Sequence, residues 1–391
     1  MIEPTTEREL ADAVAGASGP FAIQGGGTRG IGVPVAGERL SLAKLSGISL
    51  YEPGALTIVA GAGTPMSEIE AALRSEGQML PFEPMDHRDL LGTDGTPTIG
   101  GVVATNASGP RRLRAGACRD SLIGVRYING HGAAVKNGGR VMKNVTGYDL
   151  VKLMAGSYGT LGVLSEVSFK LLPKPDASGE VTLRDLSLAD GISAMAAALG
   201  SPYEVSGAAM MPGKGSVVRL RLEGFENSVG YRGAELIKTL KKFGPAEITM
   251  GGDDDWRAIR DVSVFANKST VWKVSIKASD VPALLESALA PSHAYDAMLD
   301  WGGGLVWIGA DDSQLAAHSA ADAVTGAQAL HTDLQTHLAR IGGHATLVKG
   351  SDDLKVRVPV FQPEVAPLVA LATGLRAQFD PRGLFNPGVM G

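Results

Sequence analysis

Phe21-Ala22-Ile23-Gln24-Gly25-Gly26-Gly27-Thr28-Arg29 is the stretch on which the reading of the fold turns. A short apolar run, Phe21 to Ile23, has the character of a buried strand, and it ends directly in three glycines. Three consecutive residues without Cβ let backbone N–H groups converge on a small concave space, and such a nest suits a pyrophosphate. Thr28 adds a hydroxyl donor, and Arg29 either neutralises phosphate charge or caps the turn. Taken alone, the segment fits a phosphate cradle and a ligand-free surface turn equally well.

Two further segments repeat the composition. Thr98-Ile99-Gly100-Gly101-Val102-Val103-Ala104-Thr105-Asn106-Ala107-Ser108-Gly109-Pro110 pairs glycines with small Ala104 and Ala107, while Asn106 and Ser108 offer directional hydrogen bonds. Gly156-Ser157-Tyr158-Gly159-Thr160-Leu161-Gly162-Val163-Leu164 is again glycine-rich and runs into the strand-like Val163 to Phe169. Both read as pocket-lining loops. Neither standard nucleotide fingerprint fits: after Gly61-Ala62-Gly63 the third glycine position is Met66, and Gly213 to Ser216 lacks Walker A spacing.

Composition agrees with a cofactor binder. Of 391 residues, 44% are hydrophobic and 20% charged, enough for one large core or two medium ones and too apolar for a disordered chain. Glycine supplies 52 positions, well above an average usage of about 7%, so many sites need positive φ or close backbone approach. The net charge is −5 with scattered basic residues, which argues against a nucleic-acid partner. The single cysteine, Cys118, excludes an internal disulfide, a cysteine-only zinc site and an iron–sulfur cluster held by this chain alone. MIEPTTEREL does not have the form of a signal peptide, and no run of about 18 apolar residues occurs, so the expected location is cytoplasmic.

Along the chain, residues 7 to 15 read as a helix and Leu56 to Ala60 as a strand. The turn through Gly63-Thr64-Pro65 opens a helix with Pro65 at its first position, an apolar stripe of Met66, Ile69 and Leu73, and a stop at Gly77. Pro173-Lys174-Pro175 favours an extended connector and marks a boundary. Residues 1–172 then form one domain, 176–362 a second, and 363–391 a closing helix and tail. In the second domain, strands are expected at Val181–Leu186, Val205–Met210, Val217–Leu222, Val271–Ile276 and Leu305–Ile308, with helices at 190–199, 230–243, 280–289 and 315–341. A last helix covers 364–379. Strands and helices in runs of this kind indicate an α+β domain.

Strand-then-GGGT, TIGGxxATNASG, KNVTGYDLxxLxxGSYGTLGV and a terminal FDPRGLFNPG together resemble the vanillyl-alcohol-oxidase, or PCMH-type, FAD-binding flavoproteins. Within that group, QGGGTRG, GPRRLRAGACRD, MKNVTGYD, GGHATLVKG, PVFQP and FDPRGLFNPG are similar to the FAD-binding E-subunit branch of the glycolate oxidases. The resemblance implies an α+β fold: a two-subdomain FAD-binding domain, a ferredoxin-like α+β cap, and a tail returning to the FAD domain. It implies FAD with its pyrophosphate on Gly25, Gly26, Gly27, Thr28 and Arg29. Its remaining contacts would come from Thr98, Gly100, Gly101, Ala104, Asn106, Ser108, Gly109, Asp120, Gly159, Thr160, Gly162 and Val163, and from Asn386 at the tail. Covalent relatives carry a histidine where this chain has Thr28, so FAD is expected to be non-covalent.

What the resemblance implies about activity is an FAD-dependent oxidoreductase acting on CH–OH, with glycolate as substrate and glyoxylate as product. It further implies a second flavin subunit and an iron–sulfur subunit as partners, which allow the assembly to sit in the cytoplasm or peripherally at the inner membrane. Relatives that oxidise 2-hydroxy acids unaided carry a histidine-rich metal-type motif, and around His344 this chain has one histidine and no neighbouring carboxylate. A free-standing hydroxy-acid or alcohol dehydrogenase and a non-catalytic flavin-bearing scaffold remain as alternatives.

Catalytic candidates are weak. His344 follows a helix stop and is either structural or near the flavin, and His87 is either a pocket-lining or a bland residue. Arg219 and Arg221 alternate with Val218, Leu220 and Leu222, so both guanidiniums share one sheet face and bind either a carboxylate or only solvent and a neighbouring subunit. Asn144, Tyr148 and Asp149 either orient the flavin or form a turn network. His331 and His337 are six residues apart, about 120° around a helix, which separates them as ligands. Cys118 reads as a small buried residue, and Trp301 and Trp307 as core or interface.

Overall fold

The computed structural model describes residues 1–139, 147–288, 295–319 and 322–390. The chain divides into two compact units. One comprises Met1–Gly109, Ala115–Lys174 and Pro363–Gly391, the other Pro110–Arg114 and Pro175–Gln362.

The first unit is built on a five-stranded antiparallel sheet. Its order is Ile48–Glu52, Thr57–Gly61, Val163–Lys170, Leu122–Ile128, Ala134–Gly138. Val163–Lys170 lies at the centre and is buried on both faces over most of its length, as its run of branched and aromatic residues requires. Against this sheet lies the helix Met66–Ser75, whose Met66, Ile69 and Leu73 are buried with Phe82, Ile99, Val102, Val103 and Tyr127. Pro65 is the residue before that helix rather than its first member. Met66 still donates its N–H, to the Pro97 carbonyl at 2.8 Å, and so begins the helix one position later than expected. Gly77, at φ +61°, takes the left-handed turn beyond the end.

A second, smaller core surrounds the parallel pair Phe21–Gln24 and Glu38–Ser41. Leu10 and Val14 of the helix Glu7–Ala15 enter it from one end of the sequence and Leu384 and Phe385 from the other. Phe385 bridges Phe21, which places the tail beside the strand that opens the first glycine run.

The second unit holds an eight-stranded antiparallel sheet in the order Ala246–Met250, Ala177–Arg184, Val217–Gly224, Gly207–Met211, Asp296–Asp300, Leu305–Ala310, Thr270–Ser275, His344–Lys349. Helices Leu188–Leu199 and Glu226–Leu240 occur where helices are expected. The expected helix at 315–341 is two helices, Asp312–Ser319 and Ala323–Ile341. Asp322 caps the second by accepting from the Thr325 N–H at 2.9 Å, and Gly326 lies against the Leu315 backbone. Instead of one helix from 280, the chain makes a 3-10 turn at Ala278–Asp280 and a π-type turn at Ala283–Ala288.

Candidate functional site

The first two glycine segments meet backbone to backbone. A Cβ on Gly26 would fall 1.6 Å from the Thr96 carbonyl oxygen, one on Gly95 would fall 1.8 Å from the Gly26 carbonyl oxygen, and one on Gly25 would fall 2.2 Å from Thr98 Oγ1. Glycine at these places is therefore a packing requirement, independent of any ligand. Gly27, by contrast, faces open space at φ +72°. The second segment is not a loop: Ile99–Thr105 is a helix, capped by Thr98 Oγ1, which accepts from the Gly101 N–H at 3.4 Å. Small residues let it approach the strand end, where the Gly100 N–H reaches the Ala62 carbonyl at 2.8 Å.

The third segment docks on the far end of that helix. The N–H groups of Gly156 and Tyr158 donate to the carbonyls of Val103 and Ala104 at 3.0 and 2.8 Å. Tyr158 and Gly159 both take positive φ, Thr160 Oγ1 donates to the Ser157 carbonyl, and Gly162 lies against the Tyr127 ring before Val163 begins the central strand. Asn106 Oδ1 accepts from the Arg119 N–H at 3.0 Å, and Ser108 Oγ accepts from the Cys118 N–H at 2.9 Å. The Gly109 N–H donates to the Phe82 carbonyl, and Asp120 Oδ2 accepts from the Ala117 N–H at 2.8 Å. These polar side chains thus set the shape of the chain around the three segments. Cys118 is buried, and burial pushes its thiol far above the ordinary range, consistent with an inert core residue.

The terminal motif is a clamp. Asp380 Oδ2 accepts from the Phe385 N–H at 2.7 Å, and Arg382 donates to the carbonyls of Val14, Ala15 and Gly130, closing the end of the first helix. Asn386 ties two of the candidate segments together: its Oδ1 accepts from the Ile23 N–H at 2.7 Å and its Nδ2 donates to the Tyr158 carbonyl at 2.9 Å.

Within this cradle Arg29 stands out electrostatically. Its guanidinium donates to the Met85 carbonyl at 3.1 Å and to Thr28 Oγ1 at 3.4 Å, its Nε has no partner, and it forms no ion pair among the described residues. Burial draws it down to about 10, against weaker opposing pulls from Asp86 and Cys118. A buried cation without a bound anion is costly. Thr93 Oγ1, two residues before Gly95, is likewise buried without a partner. The backbone nest, the neighbouring hydroxyl of Thr28 and the uncompensated charge of Arg29 fit a pyrophosphate, and so the residues present fit FAD.

In the second unit the sequence candidates are already engaged. Arg219 pairs with Glu180 and, at 3.0 Å, with Asp255. Arg221 is buried, donates to Ser206 Oγ at 3.2 Å and lies 4.7 Å over the Trp256 ring. Its neighbour Glu223 also receives Arg111 at 2.5 Å; burial alone would raise the Glu223 carboxyl, but Arg111 and Arg221 hold it at about 2. Both arginines are thus engaged in ion pairs within the second unit, a third arrangement beside the carboxylate ligand and the solvated face or subunit contact. His344 is exposed at the start of its strand, opposite Ser275.

Sequence reasoning missed Lys273, whose Nζ lies 5.4 Å from the Trp301 ring centroid and 5.8 Å from that of Trp307. Arg112 covers the same Trp301 ring at 4.4 Å. Lys273 and Trp307 are cross-strand partners, and the buried Asp300 accepts from the Trp301 N–H at 2.7 Å. Burial, and then repulsion from Arg112, pull the Lys273 amine down to about 8, with Asp300 opposing. Arg112 and Lys273 thus set two cations against one aromatic ring, with the buried Asp300 as the acidic group opposing them. The period-two strand pattern places Lys273 on a face, but no sequence signal joins it to Arg112.

Other candidates resolve simply. His331 Nδ1 accepts from Trp272 Nε1 at 3.2 Å, and burial pushes it to about 4, so it is a neutral core residue. His87 is buried beside Asp86, Tyr148 is exposed, and Asp149 caps the short helix Leu150–Met154. Asn144 and His293 lie outside the described residues. Among the described residues no group of three or more His, Cys, Asp or Glu is placed to hold a metal ion, and no helix is long and apolar enough to cross a membrane.

Comparison with known proteins places this geometry. The FAD binding domain family matches residues 1–138. The chain is 36% identical over 380 residues, 95% of its length and 92% of the relative's, to glycolate oxidase subunit GlcE of Escherichia coli (strain K12). It is 33% identical over 160 residues, 40% of this chain and 33% of the relative, to glycolate oxidase subunit GlcD of Bacillus subtilis (strain 168). A solved structure of alkyldihydroxyacetonephosphate synthase covers 98% of this chain and is itself covered to 76%, with a TM-score of 0.71 at 15% identity, which establishes the shared fold. FAD is therefore the cofactor, and the chain belongs to the PCMH-type FAD-binding oxidoreductase family, in the branch that contains glycolate oxidase subunit GlcE.

Proposed function

We propose that this chain is the FAD-bearing subunit of a glycolate oxidase complex. Glycolate loses two electrons and two protons to become glyoxylate, and the electrons leave through a second flavoprotein subunit and an iron–sulfur subunit. The observation that carries the reading is the likeness to GlcE, which extends over both compact units rather than over the FAD binding domain alone. Bound flavin supplies the two-electron acceptor. The chain's own residues bind and orient: Gly25, Gly26, Gly27, Thr28 and Arg29 hold the pyrophosphate, and Thr98, Gly100, Gly101, Ala104, Gly159, Thr160, Gly162 and Val163 line the remainder. Asn106, Ser108, Gly109, Asp120 and Asn386 keep those segments in register. A threonine hydroxyl at position 28 makes the attachment non-covalent.

The pair of cations, Arg112 and Lys273, against the Trp301 ring favours a second reading, a free-standing FAD-dependent dehydrogenase of hydroxy acids. Anaerobic mixing with glycolate separates the two. In the complex reading, purified chain keeps FAD through desalting and its flavin absorbance bleaches only when the partner subunits are present. Bleaching by the isolated chain favours the second reading, and a colourless protein that takes up no added FAD refutes both.

A further inference from the structure

The helix Ala366–Phe379 in the first unit contributes no buried residue. Val365, Leu368, Val369, Leu371 and Leu375 are 65, 48, 48, 65 and 42% exposed, and between Glu364 and Arg376 the chain carries no charge. Apolar residues fall all around the helix. At 100° per residue Leu368, Leu371 and Leu375 form one ridge and Val365 and Val369 a second, with Ala366, Ala370, Gly374 and Ala377 on the face between. Its one charge, Arg376, turns back to donate to the Met390 carbonyl. A helix apolar on every side is normally a buried one, and a 14-residue helix with its apolar side chains in water is marginal by itself.

We infer that this helix is a docking element that inserts into an uncharged apolar groove on a partner subunit of the complex. The inference rests on the subunit reading above. Size and shape select this occupant. The five large side chains present on the order of 400 Å² of apolar surface, a patch of the size that marks an interaction site. Pairing the helix with its own copy covers only one side of each, hence less than roughly 800 Å² in total, below the lower bound of about 1,200 Å² for a stable interface. A groove that takes the leucine and valine ridges and the alanine face together covers every exposed side of the helix and so buries more than self-pairing can, with Leu368, Leu371 and Leu375 as anchors at i, i+3 and i+7. The residues beyond, Asp380 to Asn386, are clamped to the first unit by Arg382 and Asn386, so the helix is presented on a fixed base. A lipid surface is a poorer match, because an interfacial helix needs a basic polar face, and about 21 Å of helix is too short to span a bilayer.

The test is co-expression of the full chain with the GlcD-type flavoprotein subunit and the iron–sulfur subunit of the same organism, followed by size-exclusion chromatography with light scattering. The expected result is a complex with wild-type chain. The double variant Leu371→Glu/Leu375→Glu should weaken it at least tenfold while keeping FAD content and melting temperature, and Tyr231→Glu, an exposed hydrophobe in the other unit, should leave it intact. Undiminished assembly of the double variant overturns the inference. So does a wild-type homodimer that the double variant converts to monomer, and so does wild-type-specific flotation with anionic phosphatidylserine vesicles. If wild-type chain forms no complex at all, the subunit reading falls first and the docking role with it.

Discussion

Arg29→Met tests the cradle, because it should stabilise the apoprotein and weaken the cofactor in one step. Burial draws the guanidinium from its ordinary value down to about 10, and at about 1.4 kcal/mol per pH unit this costs at most about 3 kcal/mol. That cost is fully present below pH 10 and is relieved only as pH rises from about 10 toward the ordinary arginine value, so it operates at every working pH. Methionine keeps most of the stem and loses two hydrogen bonds, to Met85 and Thr28, each worth about 1 kcal/mol. A net gain of about 1 kcal/mol is expected for the apoprotein. The lost charge-assisted contact to a pyrophosphate costs about 1.5–3 kcal/mol, or roughly a 10- to 150-fold weaker FAD affinity. Thermal unfolding of apo and FAD-loaded protein, with a flavin-fluorescence titration, reads both quantities. An Arg29→Met protein that binds FAD within twofold of wild type, or whose apo form melts below it, would refute the assignment of Arg29 to an anion.

Lys273→Met should remove a rise of stability with pH: the folded-state amine is drawn down to about 8 while the unfolded chain keeps its proton to about 10.5, so wild-type stability climbs across that window and the variant's does not, as denaturant titrations at about pH 7.5 and 9.5 would read. Gly26→Ala should cost more than about 3 kcal/mol in a denaturant titration, since its Cβ meets the Thr96 carbonyl. Gly27→Ala meets no atom and should cost only the roughly 1–2 kcal/mol of left-handed backbone. Asn386→Ala should lose about 2–4 kcal/mol by stranding the Ile23 N–H and the Tyr158 carbonyl, and Asn386→Asp, which keeps the acceptor for Ile23, should recover part of it in the same assay.

Much of the first unit was legible because its signals are local. Phe21 to Gln24 followed by three glycines, the Met66, Ile69, Leu73 stripe, and the run Val163 to Phe169 each declare an element within ten residues. The edge strands Ile48–Glu52 and Ala134–Gly138 were not, since both are largely exposed and lack the apolar alternation that burial imposes. The division into Asp312–Ser319 and Ala323–Ile341 was hidden because helical periodicity runs through the whole stretch of sequence, and the contact of Gly326 with Leu315 shows the two helices folding on each other. Arg219 and Arg221 were correctly placed on one face, yet Glu180, Asp255, Glu223 and Trp256, which occupy them, arrive from other parts of the chain.

By itself, then, the sequence determined the family and the cofactor and marked three glycine-rich segments, because each is written in residues adjacent along the chain. Tertiary structure alone decided what those residues do. It packed Gly25 on Thr98 and Gly26 on Thr96 and Gly95, gave Asn386 hydrogen bonds to Ile23 and Tyr158, and left the Arg29 Nε buried without a partner. It also brought Lys273, Trp301 and Arg112 to one place. Electrostatic character depends on burial and on neighbours at a few ångströms, and for residues separated by 28 and 161 positions those neighbours exist only once the strands have paired.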